Sequence, residues 1–287
     1  MDKSSSWRAR LGEHRRLAYL LLAGAGLILY TYGTPPLLQP GQAARLPLLG
    51  RLSADLPPPG DLPPPGDLSP PGDLPPPGDL SPPGDLPAYG LRFLLSFVLL
   101  GLLPLAAVLA CGGKAADLGL KRPRGLPAWF WAPAAAAVAV VGAFGAYDPA
   151  LSRYYPYSHT LMELIPERGF YLFGLHVLLY GGLYYLPWEL FFRGFLILPF
   201  LPQEVRPGQG GPLRADLLLI ASVQALPSAM LHFGHPFGET LSALPFGVIL
   251  GALVLRTGSI LPGLAVHAGI GIVLDLFITL RFLGVLP

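Results

Sequence analysis

Charge is what this chain has least of: Asp, Glu, Lys and Arg make up 13% of its 287 residues, against about 25% in soluble domains. So few charges cannot cover a water-facing surface. With 52% hydrophobic residues and a mean hydropathy of +0.53, the composition is that of a chain crossing a membrane several times. Cysteine is almost missing. The single Cys111 excludes an internal disulfide and a cysteine-based metal centre. The net charge of +2 leaves no basic excess, which argues against nucleic acid as a partner.

What is present falls into blocks. Residues 1–16 carry Lys3, Arg8, Arg10, Arg15 and Arg16 against Asp2 and Glu13, and an uncharged apolar run follows to residue 33. That pattern predicts a cytoplasmic N-terminus and a first membrane anchor over residues 1–33. Residues 34–90 form a linker built on a hexapeptide, Asp-Leu-Pro-Pro-Pro-Gly or Asp-Leu-Ser-Pro-Pro-Gly, repeated five times over 55–84. Two or three prolines per copy remove the backbone donors that a β-helix needs, so the segment reads as an extended, disordered spacer.

Membrane character resumes at residue 91. A second helix and a basic loop occupy 91–124, the loop holding Lys114, Lys121, Arg122 and Arg124 against Asp117. The excess of positive charge predicts a cytoplasmic loop. The remaining core, 125–287, begins with another apolar run and reaches a stretch, 170–201, too long for one ordinary span of about 20 residues. Pro187 is expected to divide it. Apolar segments at 217–234, 240–255 and 259–280 complete an all-α, polytopic transmembrane helical bundle of seven or eight spans. A chain so built belongs in a cell membrane.

The polar residues inside this apolar text carry the chemistry. Between Arg168 and Glu204 the only formal charges are Glu189 and Arg193. Each costs at least about 2.5 kcal/mol at lipid depth, so both should face protein or trapped water, and their i, i+4 spacing lets them pair. Gly194 admits a close neighbour. His232, with His235 beside it, and His267 lie in the last segments, while His176 and His159 are weaker candidates. Gathering Glu189, Arg193, His232 and His267 into one polar cavity is the least costly arrangement.

Such a cavity permits three kinds of chemistry. A carboxylate beside a neutral imidazole can take a proton from water while Arg and a second His stabilise an oxyanion, which is hydrolysis without a covalent intermediate. The same groups suit the proton relay of a transporter, although no internal repeat of membrane segments supports that. Two histidines and a glutamate can also hold a divalent metal with an open position. No His-Glu-x-x-His motif accompanies them, so no cofactor is assigned from the sequence.

These residues resemble the CPBP family, the CAAX-processing and bacteriocin-processing intramembrane proteases that include prenyl-protein endopeptidases. Its signatures are Glu-Glu-x-x-x-Arg, Phe-x-x-x-His and a later His-x-x-x-Asn or Asp. The first falls on Trp188, Glu189 and Arg193, the second on Ser228 and His232, the third on His267 and Gly271. Surrounding text similar to bacterial members includes His232-Phe233-Gly234, Glu239-Thr240-Leu241 and the stretch from Arg256 through Gly263. The resemblance covers about 125 to 282.

It implies an endopeptidase acting on a membrane-associated protein or peptide at the lipid bilayer, in a bacterial inner membrane. Glu189 would be the general base, His232 its partner in activating water, Arg193 the group orienting the carboxylate, and His267 the oxyanion stabiliser. Three positions depart from the pattern: Trp188 stands in place of the first glutamate, Ser228 in place of the phenylalanine, and Gly271 in place of Asn or Asp. Asp275, one turn further on, offers a replacement partner for His267. The departures leave open an alternative, a catalytically inactive membrane scaffold of the same fold.

Overall fold

The computed structural model describes residues 13–34, 86–155, 159–202, 205, 207, 208 and 215–287. The hexapeptide repeat and the basic residues 1–12 lie outside the described residues. The described chain is helical, with no strand. We number the helices α1 (Arg16–Gly33), α2 (Ala88–Ala110), α3 (Ala128–Gly145), α4 (Pro149–Tyr154), α5 (His159–Arg168), α6 (171–195), α7 (Ala215–Met230), α8 (Phe237–Thr257) and α9 (Leu261–Phe282). Five of them, α1, α2, α3, α8 and α9, are long and apolar enough to cross a membrane. Their outer faces present Leu21, Ile28, Val140, Phe144, Leu241 and Ile249, as contact with lipid requires.

Pro187 does not divide its run, contrary to the expectation of a break there. Helical geometry is continuous from 171 to 195, with π-helical stretches at Tyr180–Tyr185 and Leu190–Phe195 on either side of Leu186–Glu189. The wider π turn accommodates local disruption of the hydrogen-bond ladder, so the helix takes in the proline. With α6 in one piece and α7 at only 16 residues, the five helices among the described residues that are long and apolar enough to cross a membrane fall short of the seven or eight spans expected.

The second half of α6 is the centre of the bundle. Every residue from Pro187 to Phe195 is buried, as befits a helix that is apolar on all sides. Trp188, Phe191, Phe192 and Phe195 pack with Tyr19 and Ala23 of α1, Leu100 of α2, Val254 and Leu255 of α8, and Ile260. Gly194 is needed here, because a Cβ would lie 2.5 Å from the Leu118 carbonyl oxygen. The close neighbour anticipated for Gly194 is thus the short turn Ala115–Leu118, not another helix.

Burial from lipid gives helices little hydrophobic reason to associate, so close packing has to supply it. Small residues provide that packing on both long pairs. Gly247 and Gly251 of α8 face Ala225 and Ala221 of α7, where added Cβ atoms would come within 2.9 and 3.0 Å of the alanine Cβ atoms. Gln224 reinforces the contact by donating to the carbonyls of Ala221 (2.8 Å) and Gly247 (3.0 Å). On the other side, Gly142 of α3 lies against Val273 of α9, and Gly269 of α9 against Val138.

The α8–α9 connection is held by the basic loop. Ile260 N donates to Gly119 O (3.1 Å), Arg124 N to Thr257 O (3.0 Å) and Ser259 Oγ to Lys121 O (2.5 Å). Gly258 turns the chain at φ +67°, a left-handed conformation that suits glycine. This clamp fixes where α9 starts and so fixes the height of His267.

Candidate functional site

One face of α6 serves two imidazoles. Residues 185, 188, 189 and 192 share that face by helical spacing. Tyr185 lies edge-on to His267 with ring centroids 4.9 Å apart, and Trp188 lies edge-on to His232 at 5.7 Å. Glu189, one residue on from Trp188, reaches His267 instead: His267 Nδ1 is 2.7 Å from Glu189 Oε1.

Glu189 is fully buried, and Arg193 one turn later brings Nη1 to 3.5 Å from the same carboxylate oxygen. That distance makes an ion pair and not a hydrogen bond. Glu189 Oε2, Arg193 Nε and Arg193 Nη1 have no hydrogen-bond partner within the described residues. The His267 side chain keeps 19% of its surface exposed, and Phe246 packs edge-on against its ring at 5.4 Å. With Nδ1–H donated to the carboxylate, the Nε2 lone pair of His267 is left free for another proton.

His232 belongs to a second cluster. It lies in the turn after α7, where its Nδ1–H donates to Ser228 O at 2.8 Å and leaves Nε2 as an acceptor. Nε2 is 3.8 Å from Glu239 Oε1, and His235 Nδ1 is 3.0 Å from that same oxygen. The Tyr155 hydroxyl, which follows α4, donates to Glu239 Oε1 at 2.8 Å. Burial first, and the neighbouring Glu239 next, push the Tyr155 phenol well above its usual value, so it remains a donor. The Thr240 hydroxyl bonds to His232 O (2.6 Å) and ties the turn to the first turn of α8.

A third polar group lies deeper in the bundle. The buried His176 has Nε2 2.8 Å from Asp275 Oδ2 and Nδ1 2.7 Å from the Tyr89 hydroxyl. Asp275 therefore partners His176 and not His267, as the sequence had suggested. Eight residues separate 267 from 275, about 12 Å along a helix axis, which is too far for a direct bond.

The structure thus brings Glu189, Arg193 and His267 together directly, and sets His232 against Trp188, the residue before Glu189. Glu239, Tyr155 and Tyr185 were not singled out as site residues from the sequence. A signal existed for Glu239, since the text His232-x-x-His235-x-x-x-Glu239 carries three ligand-type side chains within eight residues. Pro236 in its middle obscured it, because the three do not lie on one helix.

A polytopic all-α membrane protein with a buried Glu–Arg–His centre is the class defined by this fold. Residues 167–273, which hold α6 through most of α9, match the family model described as type II CAAX prenyl endopeptidase Rce1-like, so this stretch is similar to the CPBP family. No curated protein and no solved structure matches the chain.

Proposed function

We propose that the chain is an intramembrane endopeptidase that hydrolyses a peptide bond of a membrane-associated protein or peptide in a bacterial inner membrane. The observation that carries this reading is the 2.7 Å contact between His267 Nδ1 and the fully buried Glu189 carboxylate. A carboxylate that accepts Nδ1–H fixes the imidazole tautomer and orientation, and it stabilises the imidazolium that forms when Nε2 takes a proton from water. Glu189 then orients and offsets charge, and His267 is the base. This moves the base role, which the family pattern gives to Glu189, onto His267. Arg193 pairs with the buried carboxylate at 3.5 Å. His232 supplies a second neutral nitrogen, Nε2, for holding the water or passing its proton to the leaving amine.

The test is cleavage of anchored peptides in detergent by purified protein. His267→Ala and Glu189→Gln should each lower turnover by about 10²–10⁴-fold, the usual worth of acid–base catalysis. Cleavage by the parent that persists undiminished in both variants would remove these assignments.

One observation favours a second reading, a membrane scaffold that has lost cleavage. Trp188, buried at 3% exposure, fills the place that the family gives to a glutamate, and its ring is packed between Tyr184, Phe192 and His232. On that reading the parent cleaves none of the anchored peptides.

A further inference from the structure

Of the cluster of His232, His235 and Glu239, the hydrolysis proposed above uses only His232, and the other two have no part in it. Its three ligand atoms, one from each residue, all lie within 4.8 Å of one another. In a tetrahedral zinc site with bonds of about 2.0–2.1 Å, neighbouring ligand atoms are about 3.3 Å apart. The two separations to Glu239 Oε1, 3.0 Å from His235 and 3.8 Å from His232, bracket that value. The third pair, His232 and His235, lies within 4.8 Å, so closing on one centre draws the two imidazoles toward each other.

The surroundings match those of a metal ligand set. His232 donates Nδ1–H to the Ser228 carbonyl, which fixes the tautomer with Nε2 unprotonated and directed at the cluster; a backbone carbonyl on the far nitrogen is the usual support of a ligating histidine. Tyr155 plays the corresponding part for the carboxylate by donating to Glu239 Oε1. The other carboxylate oxygen, Glu239 Oε2, is buried and has no hydrogen-bond partner, a cost that a cation bound by both oxygens would remove. The chain's stiffest part of this turn, Pro236, sets the two histidines apart from Glu239 by a bend, so that they approach the centre from the turn and the carboxylate approaches from α8.

We infer that His232 Nε2, His235 Nδ1 and Glu239 form a three-ligand site for a zinc-class divalent cation, with its fourth position open. Binding displaces the proton of His235 Nδ1, moving it to Nε2 or to solvent, and leaves the Tyr155 hydrogen bond in place. Two imidazoles and one carboxylate suit zinc, cobalt or nickel and not calcium, which takes oxygen ligands. A cation on His232 Nε2 takes that nitrogen out of the proton transfer proposed above and leaves His267 as the base, so the site can be tested apart from cleavage.

The experiment is metal binding by the full chain in detergent, stripped with a chelator and then titrated with zinc alone or cobalt alone. Elemental analysis should give about one zinc per chain, and cobalt should develop the visible absorption of a tetrahedral centre. His235→Ala and Glu239→Gln should each weaken binding at least tenfold and abolish that absorption. Tyr155→Phe keeps all three ligands and should weaken binding by about 10–100-fold while preserving the absorption. His176→Ala, in the separate Tyr89–Asp275 network, should bind as the parent does. Failure to retain any zinc, or binding that is equal in the parent, Glu239→Gln and Tyr155→Phe, overturns the site. Should His235→Ala fail to fold, the latter two variants decide alone.

Discussion

The Tyr185 hydroxyl occupies the space that a side chain on Gly271 would need. A Cβ built on Gly271 falls on that oxygen and comes within 2.8 Å of the ring carbon bearing it. Tyr185 is held there by its contacts with Tyr180, at 4.5 Å between rings, and with His267. The missing Asn or Asp of the family pattern is thus matched by a tyrosine from another helix. Restoring it by Gly271→Asn should overpack the bundle, at a cost of about 1–3 kcal/mol. Thermal unfolding in detergent should show a lower midpoint for Gly271→Asn and recovery on adding Tyr185→Ala. A single variant as stable as the parent would mean that the tyrosine yields freely.

Glu189 and Arg193 form a buried pair whose members depend on each other. Removing either charge leaves its partner buried without compensation, a loss of about 3–5 kcal/mol. Glu189→Gln and Arg193→Met should each destabilise by that order. The double variant should cost clearly less than the two losses added together. Equal sums would show that the 3.5 Å contact contributes nothing.

Trp188→Glu should show opposite effects on stability and rate. Truncating a packed aromatic costs about 3–5 kcal/mol, so the variant's unfolding midpoint should fall. The new carboxylate enters the space facing His232, 5.7 Å from the present ring, and should raise cleavage of anchored peptides at temperatures where the variant remains folded. A variant that stays folded and cleaves more slowly than the parent would place Trp188 in the working site instead of in the way of it.

Orientation can be read by thiol labelling. The basic loop precedes α3 and the α5 segment follows it, so one crossing separates them. In a background lacking Cys111, Arg122→Cys should be shielded from an impermeant reagent in intact cells, and Glu167→Cys should react; both positions are exposed. Labelling of both without lysis would reject the inside assignment of the basic loop.

Deleting residues 55–84 should leave the unfolding midpoint of the core unchanged. The repeat offers only leucine as a core-forming side chain, too little apolar area to contribute a packed layer. Loss of a detergent-stable fold on deletion would make the segment part of the domain.

The order of apolar runs determined the fold class, because lipid forces each spanning segment to satisfy its own backbone, and helices do so locally. The rarity of charge marked Glu189 and Arg193 for the same reason: an ionised group is too costly there to be incidental. The pairing of the polar groups was decided only by tertiary structure. Spacing along a chain does not say which of several histidines a carboxylate meets, and here α6 turns Glu189 to His267, Trp188 to His232, and leaves Asp275 to His176. Whether Pro187 broke its helix was equally beyond local reading, since π turns on either side absorbed it. The space at Gly271 shows the same division: the sequence displays an absent side chain, and the fold fills its place with Tyr185, 86 residues earlier on another helix, because close packing leaves no room for both.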